Sequence, residues 1–567
     1  MAWWKEGVVY QIYPRSFNDS NGDGVGDIRG IIQKLDYIKS LDVDMIWLCP
    51  VYQSPNDDNG YDISDYYNIM DEFGTMSDFD ELLAGIHARG MKLIMDLVVN
   101  HSSDEHEWFK ESRKSKDNPY RDWYIWKKGK PTPPAPKGES LLPSPPTNWR
   151  SFFYGSTWEY DATTDEYYLH LFTKKQPDLN WENPKVRQAC YDAMNYWFEK
   201  GIDGFRMDVI SLISKRPEYA DVPTDDLHYA ISNRYANGPR VHEFLQEMYL
   251  ETFSKYDVMT VGEGPGITKD NAPLYVNSDR NELNMVFSLE HMFLNDGPEG
   301  KYDYQPTDFL RFKGLFAEWN EALGEKGWGS IFLSNHDFPR VVSRYGNDNE
   351  QFRKISAKML AILLLTHRGT VYIYQGCEIG MTNVAFDSMD DYRDVEARNA
   401  WATWQAKGVT EAEFLPRVHV QGRDNVRTPM HWDASENAGF TTGESWIKLN
   451  PNYPKINVAA AEADADSILH FYRKMIRYRK SNLLWTYGTY QQYLTQDQSI
   501  FAYHRVYEGE SFLVVLNHKD NNEIVYLNDL GCAGKSLSYS YGNYANAPVF
   551  DNEKIELRGW EGVIFSF

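Results

Sequence analysis

Eight short apolar runs, with helical stretches between them, constrain this chain more than any other feature. The runs are VVYQIY (8–13), DMIWLCP (44–50), KLIMDLVVNH (92–101), GFRMDVI (204–210), DVMTVGE (257–263), NMVFSLE (284–290), SIFLSNHD (330–337) and TVYIYQG (370–376). Most are largely apolar, without the polar alternation of a sheet that has one wet face. Strands covered on both faces belong to a parallel sheet wrapped by helices. IIQKLDYIKSL, FDELLAGIHARG, VRQACYDAMNYWFEKG, FKGLFAEWNEALGEKG and ISAKMLAILLLTHRG are helical stretches between them. Eight strand–helix units predict an α/β fold, a (β/α)8 TIM barrel.

One connection is too long for a compact barrel. Between His101 and the helix near Val186 the chain carries the turn-rich KGKPTPPAPKGESLLPSPPTNW (128–149). Such a length of chain needs structure of its own. It predicts an inserted subdomain over 102–178, after strand 3, with the proline tract as a surface loop near a site mouth. After residue 484 the pattern changes. YGTYQQYL, IFAYHRVY, SFLVVLNH, EIVYLN, SLSYSYG, EKIELRG and GVIFSF are short alternating strands. They predict a C-terminal antiparallel β-sandwich over 485–567. The barrel then takes 1–101 and 179–484.

Charge narrows the partners. Lysines and arginines number 58 against 82 acidic residues, a net charge of -24. That opposes a nucleic-acid backbone or an anionic membrane. Cys49, Cys190, Cys377 and Cys532 form no CxxC spacing, as befits thiols in a reducing compartment. No signal peptide or apolar span is evident, so a cytoplasmic protein, acting as a monomer, is expected. The 39 tyrosines and 18 tryptophans suit core packing and also stacking on sugar rings.

Barrel chemistry sits at the C-terminal ends of the strands. Asp96, Asn100 and His101 end strand 3, Arg206 and Asp208 end strand 4, and Glu263 ends strand 5. Asn335, His336 and Asp337 end strand 7. A lone carboxylate after a strand is commonly a helix cap. Three from three strands, with two histidines and an arginine, suit glycosidic cleavage. One carboxylate attacks the anomeric carbon and a second, kept protonated, protonates the leaving oxygen. A zinc site would need a close ligand cluster such as HExxH, and a serine hydrolase a GxSxG elbow; neither is present.

GVVYQIYPRSF, DLVVNHSS (96–103), GFRMDVI, the GE of VGEGPG (261–266), FLSNHD (332–337) and RDNVRTPMHWD (423–433) carry a resemblance that spans the chain. It is to the α-amylase superfamily of glycoside hydrolases, and within it the oligo-1,6-glucosidase and α-glucosidase branch. The resemblance implies Asp208 as nucleophile, Glu263 as general acid and base, and Asp337 as the carboxylate supporting the transition state. It implies His101 and His336 as sugar ligands, and Arg206 as the neighbour that keeps Asp208 ionised. Tyr61 and Asp62, in NGYD (59–62), resemble a stacking aromatic and a hydroxyl clamp at the nonreducing end. Arg423, or else Arg427, is the expected partner of Asp62. The family is retaining, and a closed pocket implies exo-action on short α-gluco-oligosaccharides.

Val209, next to the nucleophile, resembles the branch acting on α-1,6 bonds; the plainer reading is a core residue at a strand end. Gly264, where relatives commonly carry Met, is expected to widen the acceptor side. Ser211, His431 and Phe338 also depart from the usual pattern. Sucrose isomerases carry an arginine-rich RLDRD segment after strand 6. Here SLEHMFLNDGPEG (288–300) has no arginine, which favours hydrolysis over sucrose isomerisation. A catalytically inactive carbohydrate-binding or transporter-partner protein should have lost one of the three carboxylates, and all are present.

DSNGDGVGD (19–27) remains. Its carboxylates exclude a phosphate cradle, and Gly30 in place of a twelfth-position Glu excludes a complete EF-hand. Spacing alone leaves a lone hard-cation site or an Asx-rich turn. The resemblance implies structural Ca²⁺, with Mg²⁺ as the alternative. Its implied ligands are Asp19, Asn21, Asp23, the Val25 carbonyl and Asp27.

Overall fold

The computed structural model describes residues 2–131 and 142–567. Eight parallel strands form its centre: β1 (Val8–Ile12), β2 (Met45–Leu48), β3 (Lys92–Leu97), β4 (Gly204–Met207), β5 (Met259–Gly262), β6 (Met285–Val286), β7 (Ser330–Ile331) and β8 (Thr370–Tyr374). Each falls within one of the eight apolar runs. The sheet order is β6-β5-β4-β3-β2-β1-β8-β7. The described ladder leaves β6 and β7 unpaired, but Ser330 Oγ donates to the Val286 carbonyl at 3.1 Å across that seam. The (β/α)8 barrel is therefore nearly closed. Trp47, Phe287 and Tyr372 pack together, with ring centroids 4.8 to 6.2 Å apart.

Between β3 and β4 an excursion carries a three-stranded antiparallel sheet of Trp126–Lys127, Glu166–Leu169 and Trp158–Asp161. Bridges His101↔Asp178 and Tyr124↔Leu179 close its neck. Residues 132–141, the middle of the proline tract, lie outside the described residues. A second excursion follows β8, with helices Val395–Ala406 and Glu411–Gln421 lying against each other. The sequence pattern merges these helices with those of the barrel.

At the C-terminus, Thr489–Tyr493, Ile500–Tyr507, Glu510–Asn517, Gly562–Ser566 and Ser538–Gly542 make a five-stranded antiparallel sheet. A three-stranded sheet of Glu523–Tyr526, Lys554–Leu557 and Val549–Phe550 accompanies it. Ala502, Val515, Val525 and Ile555 pack between the two sheets. Phe501, Tyr503, Val514 and Leu516 join the barrel core instead. Alternate residues of Ile500–Tyr507 and Glu510–Asn517 thus face opposite apolar layers.

Candidate active site

Three strand ends set the geometry. Arg206 and Asp208 are two residues apart, so both project toward one face. The Asp208 N–H donates to the Leu97 carbonyl at 2.9 Å, and the Glu263 N–H to Met207 at 2.8 Å. Each carboxylate is thereby fixed to the neighbouring strand. Val209 then turns the chain with φ 36°, a left-handed conformation that is a genuine outlier for a β-branched residue. The next amide, of Ile210, donates to the Glu263 carbonyl at 2.8 Å.

Arg206, wholly buried, ties the carboxylates together. Its Nη1 donates to Asp96 Oδ1 and to Asp208 Oδ1, both at 2.6 Å. Nη2 stands 2.5 Å from Glu263 Oε2. Asp96 also accepts from Trp47 Nε1 at 2.8 Å and from the Tyr61 hydroxyl at 3.3 Å. Asp337 closes the group from strand 7. It accepts from Arg427 Nη2 at 3.0 Å and Arg423 Nη1 at 3.3 Å, with His336 Nε2 at 3.1 Å.

Burial pushes the Asp208 carboxyl up to about 7, against the opposing pull of Arg206. Burial pushes Glu263 up to about 7 as well, with Arg206 opposing and Asp208 and Asp337 adding to the rise. Burial would raise Asp337 too, but His336 and the arginines outweigh it and hold this carboxyl well below the usual range. His336 is itself pushed down to about 3 by burial and stands neutral. Gln11 Nε2 lies 2.9 Å from its Nδ1, so Nδ1 accepts and Nε2 carries the proton toward Asp337. The arginines therefore supply the charge that steadies Asp337. His101, pushed down to about 4 by burial, is also neutral, with Nε2 3.1 Å from the Tyr61 carbonyl.

Tyr61, His101, Arg423, His336 and Val209 line one cavity of about 190 Å³ with Asp208, Glu263 and Asp337. Tyr61 stacks on His336 with centroids 5.2 Å apart. Asp62 does not line it. Its carboxylate accepts the backbone N–H groups of Asp57 at 2.9 Å and Asp58 at 3.1 Å, stabilising the loop from behind. Neither expected arginine meets it. Arg423 Nη2 donates to Asp58 Oδ1 at 3.1 Å, and Arg427 turns to Asp337. Asn59 and Gly60 have φ of 50° and 97°, a left-handed pair that brings Asp58 rather than Asp62 to the cavity. The run NDDNGYD (56–62) contains the right carboxylate, but spacing alone does not choose it.

The excursions supply what motifs did not mark. Phe152, Phe153, Phe172 and Gln176 of the first line the cavity, as do Glu396 and Gln421 of the second. Asp394 caps helix Val395–Ala406 and holds Arg423 at 2.6 Å. Phe338 lines the cavity, whereas Ser211 Oγ braces the Pro265 carbonyl at 2.7 Å. His431 is buried away from it, its Nδ1 2.7 Å from the Ile456 carbonyl. Gly264 does not widen the acceptor side, because Ile267 fills the space a Cβ there would need.

The DSNGDGVGD loop curls by successive Asx turns. Asp19 Oδ1 accepts from Asn21 N–H, Asn21 Oδ1 from Asp23 N–H, and Asp23 Oδ1 from Val25 N–H, each at 2.9 Å. Asp27 caps helix Ile28–Gln33 through Gly30 N–H at 2.6 Å and accepts from Ser20 N–H at 2.8 Å. Among the described residues no group of three or more His, Cys, Asp or Glu side chains is placed to hold a metal ion. Amide and carbonyl oxygens, such as those of Asn21 and Val25, are candidate ligands outside that set. None of the described helices is long and apolar enough to cross a membrane.

A parallel barrel whose mouth gathers three buried carboxylates around one guanidinium has the machinery of a glycoside hydrolase. The sequence model of the α-amylase catalytic domain matches residues 11–488. The chain belongs to the α-amylase family. It is 55% identical over 567 residues to an oligo-1,6-glucosidase of Parageobacillus thermoglucosidasius, covering 100% of this chain and 99% of that one. The solved structure of Bacillus licheniformis trehalose-6-phosphate hydrolase superposes with a TM-score of 0.91 at 47% identity, covering 100% of both chains. That of a trehalulose synthase from Pseudomonas mesoacidophila MX-45 gives 0.93 at 42%, covering 100% of this chain and 99% of that one.

Proposed function

We propose that this enzyme is a retaining, exo-acting α-glucosidase that hydrolyses the α-1,6 bonds of isomaltose and short isomalto-oligosaccharides. The observation that carries the mechanism is the shared guanidinium. Arg206 contacts both Asp208 and Glu263, so the two carboxyls stand close together, as retention needs. One cation thus serves both carboxyls, with Arg206 Nη1 2.6 Å from Asp208 Oδ1 and Nη2 2.5 Å from Glu263 Oε2. On the family's pattern the proton of the pair is assigned to Glu263 and the attack to Asp208. Asp208 attacks the anomeric carbon as Glu263 passes its proton to the leaving oxygen. Glu263 then takes a proton from water, which opens the glycosyl-enzyme. Asp337, held ionised by Arg423 and Arg427, accepts hydroxyl hydrogens of the glucosyl ring. The Asp58–Arg423 pair and the aromatic side chains of the first excursion close the cavity around its nonreducing end.

The acceptor side supports α-1,6 hydrolysis. Val209 borders it, and the segment after β6 presents Leu289, Met292 and Phe293 there without a guanidinium. The oligo-1,6-glucosidase relative points the same way. Against a sugar phosphate, the cavity lining carries Asp58, Asp208, Asp226, Glu263, Asp296, Asp337 and Glu396, outnumbering Arg150, Lys301 and Arg423. Such a lining repels an anion. We further propose Ca²⁺, or Mg²⁺, on the Asp19–Asp27 loop, supported by oxygen side chains at alternate positions and by Asx turns that curl them. The -24 charge and the free, buried cysteines support a monomer acting in the cytoplasm.

A panel of isomaltose, panose, isomaltotriose, maltose, sucrose and trehalose, with products identified, tests the reading. Glucose released fastest from α-1,6 substrates, with retained anomeric configuration, is the expected result. Faster cleavage of maltose, or isomaltulose or trehalulose formed from sucrose, would overturn it.

A further inference from the structure

Strand β1 brings no group to the reacting atoms, yet its end controls a ring that faces them. Gln11 is buried and lies outside the cavity lining. Its backbone pairs with Trp47 of β2 on one side and Tyr374 of β8 on the other. The side-chain Nε2 lies 2.9 Å from His336 Nδ1 and donates to Cys49 Sγ at 3.3 Å, so both amide hydrogens have an acceptor. Other groups fix the plane of the His336 ring. Tyr61 and Tyr13 stack on it with centroids 5.2 and 6.2 Å away, and Trp47 meets it edge-on at 5.9 Å. What these contacts leave open is which ring nitrogen carries the proton.

Charge and geometry decide it. The charged groups that act most on the ring are Asp337 and the guanidiniums of Arg206, Arg423 and Arg427, three cations against one anion. Burial keeps Cys49, Tyr13 and Tyr61 neutral beside it. An imidazolium is therefore opposed, and two neutral tautomers compete. With the Gln11 oxygen turned inward, Nδ1 would hold the proton and the Nε2 lone pair would face Asp337 Oδ2, 3.1 Å away. Two acceptors at that distance repel, and neither gives a hydrogen to a sugar hydroxyl. With the amide nitrogen inward, His336 presents an N–H to the cavity beside the ionised Asp337. A hydroxyl oxygen there accepts from the one and donates to the other. His101 is held in the same manner. Asn100 Nδ2 lies 3.1 Å from its Nδ1, and Lys215 Nζ donates to Asn100 Oδ1 at 3.0 Å, which fixes the orientation of that amide.

We propose that Gln11 is a positioning residue of this active site: its amide holds His336 in the Nε2–H tautomer, so that His336 and Asp337 together grip one sugar hydroxyl. The proposal rests on the glycosidase reading above, in which Asp337 meets the glucosyl ring. Its test is the ¹⁵N NMR spectrum of histidine-labelled protein, with the His336 signals identified by their loss in His336→Asn, beside kcat/KM on isomaltose. In the wild type Nε2 should bear the proton and Nδ1 none, from about pH 5 to 8. Gln11→Glu sets an acceptor against Nδ1 and should move a proton onto it, lowering kcat/KM about ten- to hundredfold. Gln11→Leu removes the donor, should divide the ring between the two tautomers and should lower kcat/KM about three- to tenfold. A wild-type Nε2 without a proton, or a tautomer that both variants leave unmoved, would overturn the assignment. So would an unchanged kcat/KM once the proton has moved. If isomaltose is not cleaved, the α-1,6 reading fails by itself. The spectrum is then unaffected, and the kinetic comparison is made on whichever sugar of the panel is cleaved.

Discussion

At the residue scale, the site is a set of charges held by a few guanidinium groups, and each makes a separable prediction. Arg206 opposes the rise that burial imposes on Asp208 and on Glu263. Removing that cation raises both pKa values further. Asp208 then ionises only at higher pH, and Glu263 keeps its proton to higher pH. Both limbs of the kcat/KM profile of Arg206→Gln should therefore move to alkaline pH, with kcat lower by about 10²- to 10³-fold. A profile lowered in height but unmoved would show that Arg206 does not set these protonation states. Asp58 and Asp62 separate equally well. Asp58→Asn removes the charge that pairs with Arg423 inside the cavity and should cost about ten- to hundredfold in kcat/KM. Asp62→Asn keeps one acceptor for the backbone N–H groups it serves and should change kcat/KM less than about threefold. Equal losses in the two variants would return the clamp to Asp62.

At the element scale, legibility followed burial. The barrel strands are legible because both faces are apolar, and Ile500–Tyr507 and Glu510–Asn517 of the C-terminal sheet because alternate residues serve two cores. Asp208, Glu263 and Asp337 were findable because each follows such a run directly. The helix pair after β8 was not, since an excursion helix and a barrel helix share one periodicity. Asp58 was missed because a left-handed pair at Asn59 and Gly60 decides which carboxylate faces inward. No motif marks Arg479 and Arg505 either, yet they finish helix Arg353–Thr366. Arg479 donates to the carbonyls of Leu365, His367 and Gly369 at 2.7 to 2.9 Å. Arg505, from the C-terminal sheet, donates to Thr366 and to Leu484, Trp485 and Gly488. The last carbonyls of a helix have no partner within it, and these two side chains supply one. Arg505→Leu strands several buried carbonyls and should destabilise the protein by at least about 3 kcal/mol, read as a lower midpoint in thermal unfolding. Its kcat/KM at low temperature should stay at the wild-type level. Unchanged unfolding would mean the carbonyls find other partners.

At the scale of the whole molecule, the catalytic mouth is assembled by excursions from several strands, and the DSNGDGVGD loop stands behind one of them. Asp337 depends on Arg423 and Arg427, and the chain that carries them is braced by the segment after β1. Ser16 Oγ donates to the Arg427 carbonyl at 2.6 Å, and the Met430 N–H to the Ser16 carbonyl at 2.8 Å. Further along, Asp19 N–H donates to Phe440, and Trp446 N–H to Gly24, both at 3.0 Å. Gly24 has φ 92°, and a Cβ there would strike the Glu444 carbonyl. Gly24→Ala should therefore unseat the loop, lowering thermal stability and raising KM as the two arginines lose their support. That outcome follows from packing and holds with or without a cation. The cation is tested separately. If Ca²⁺ binds this loop in the folded state, chelation should lower the unfolding midpoint and added Ca²⁺ restore it. The stabilisation should approach about 2.7 kcal/mol at a hundredfold excess over Kd. In Gly24→Ala the same titration should give little response, because the ligands no longer hold their curl. Metal-free protein that unfolds at the same temperature with and without Ca²⁺ would remove the cation. The Asx turns of Asp19, Asn21 and Asp23 would then be all that shapes the loop.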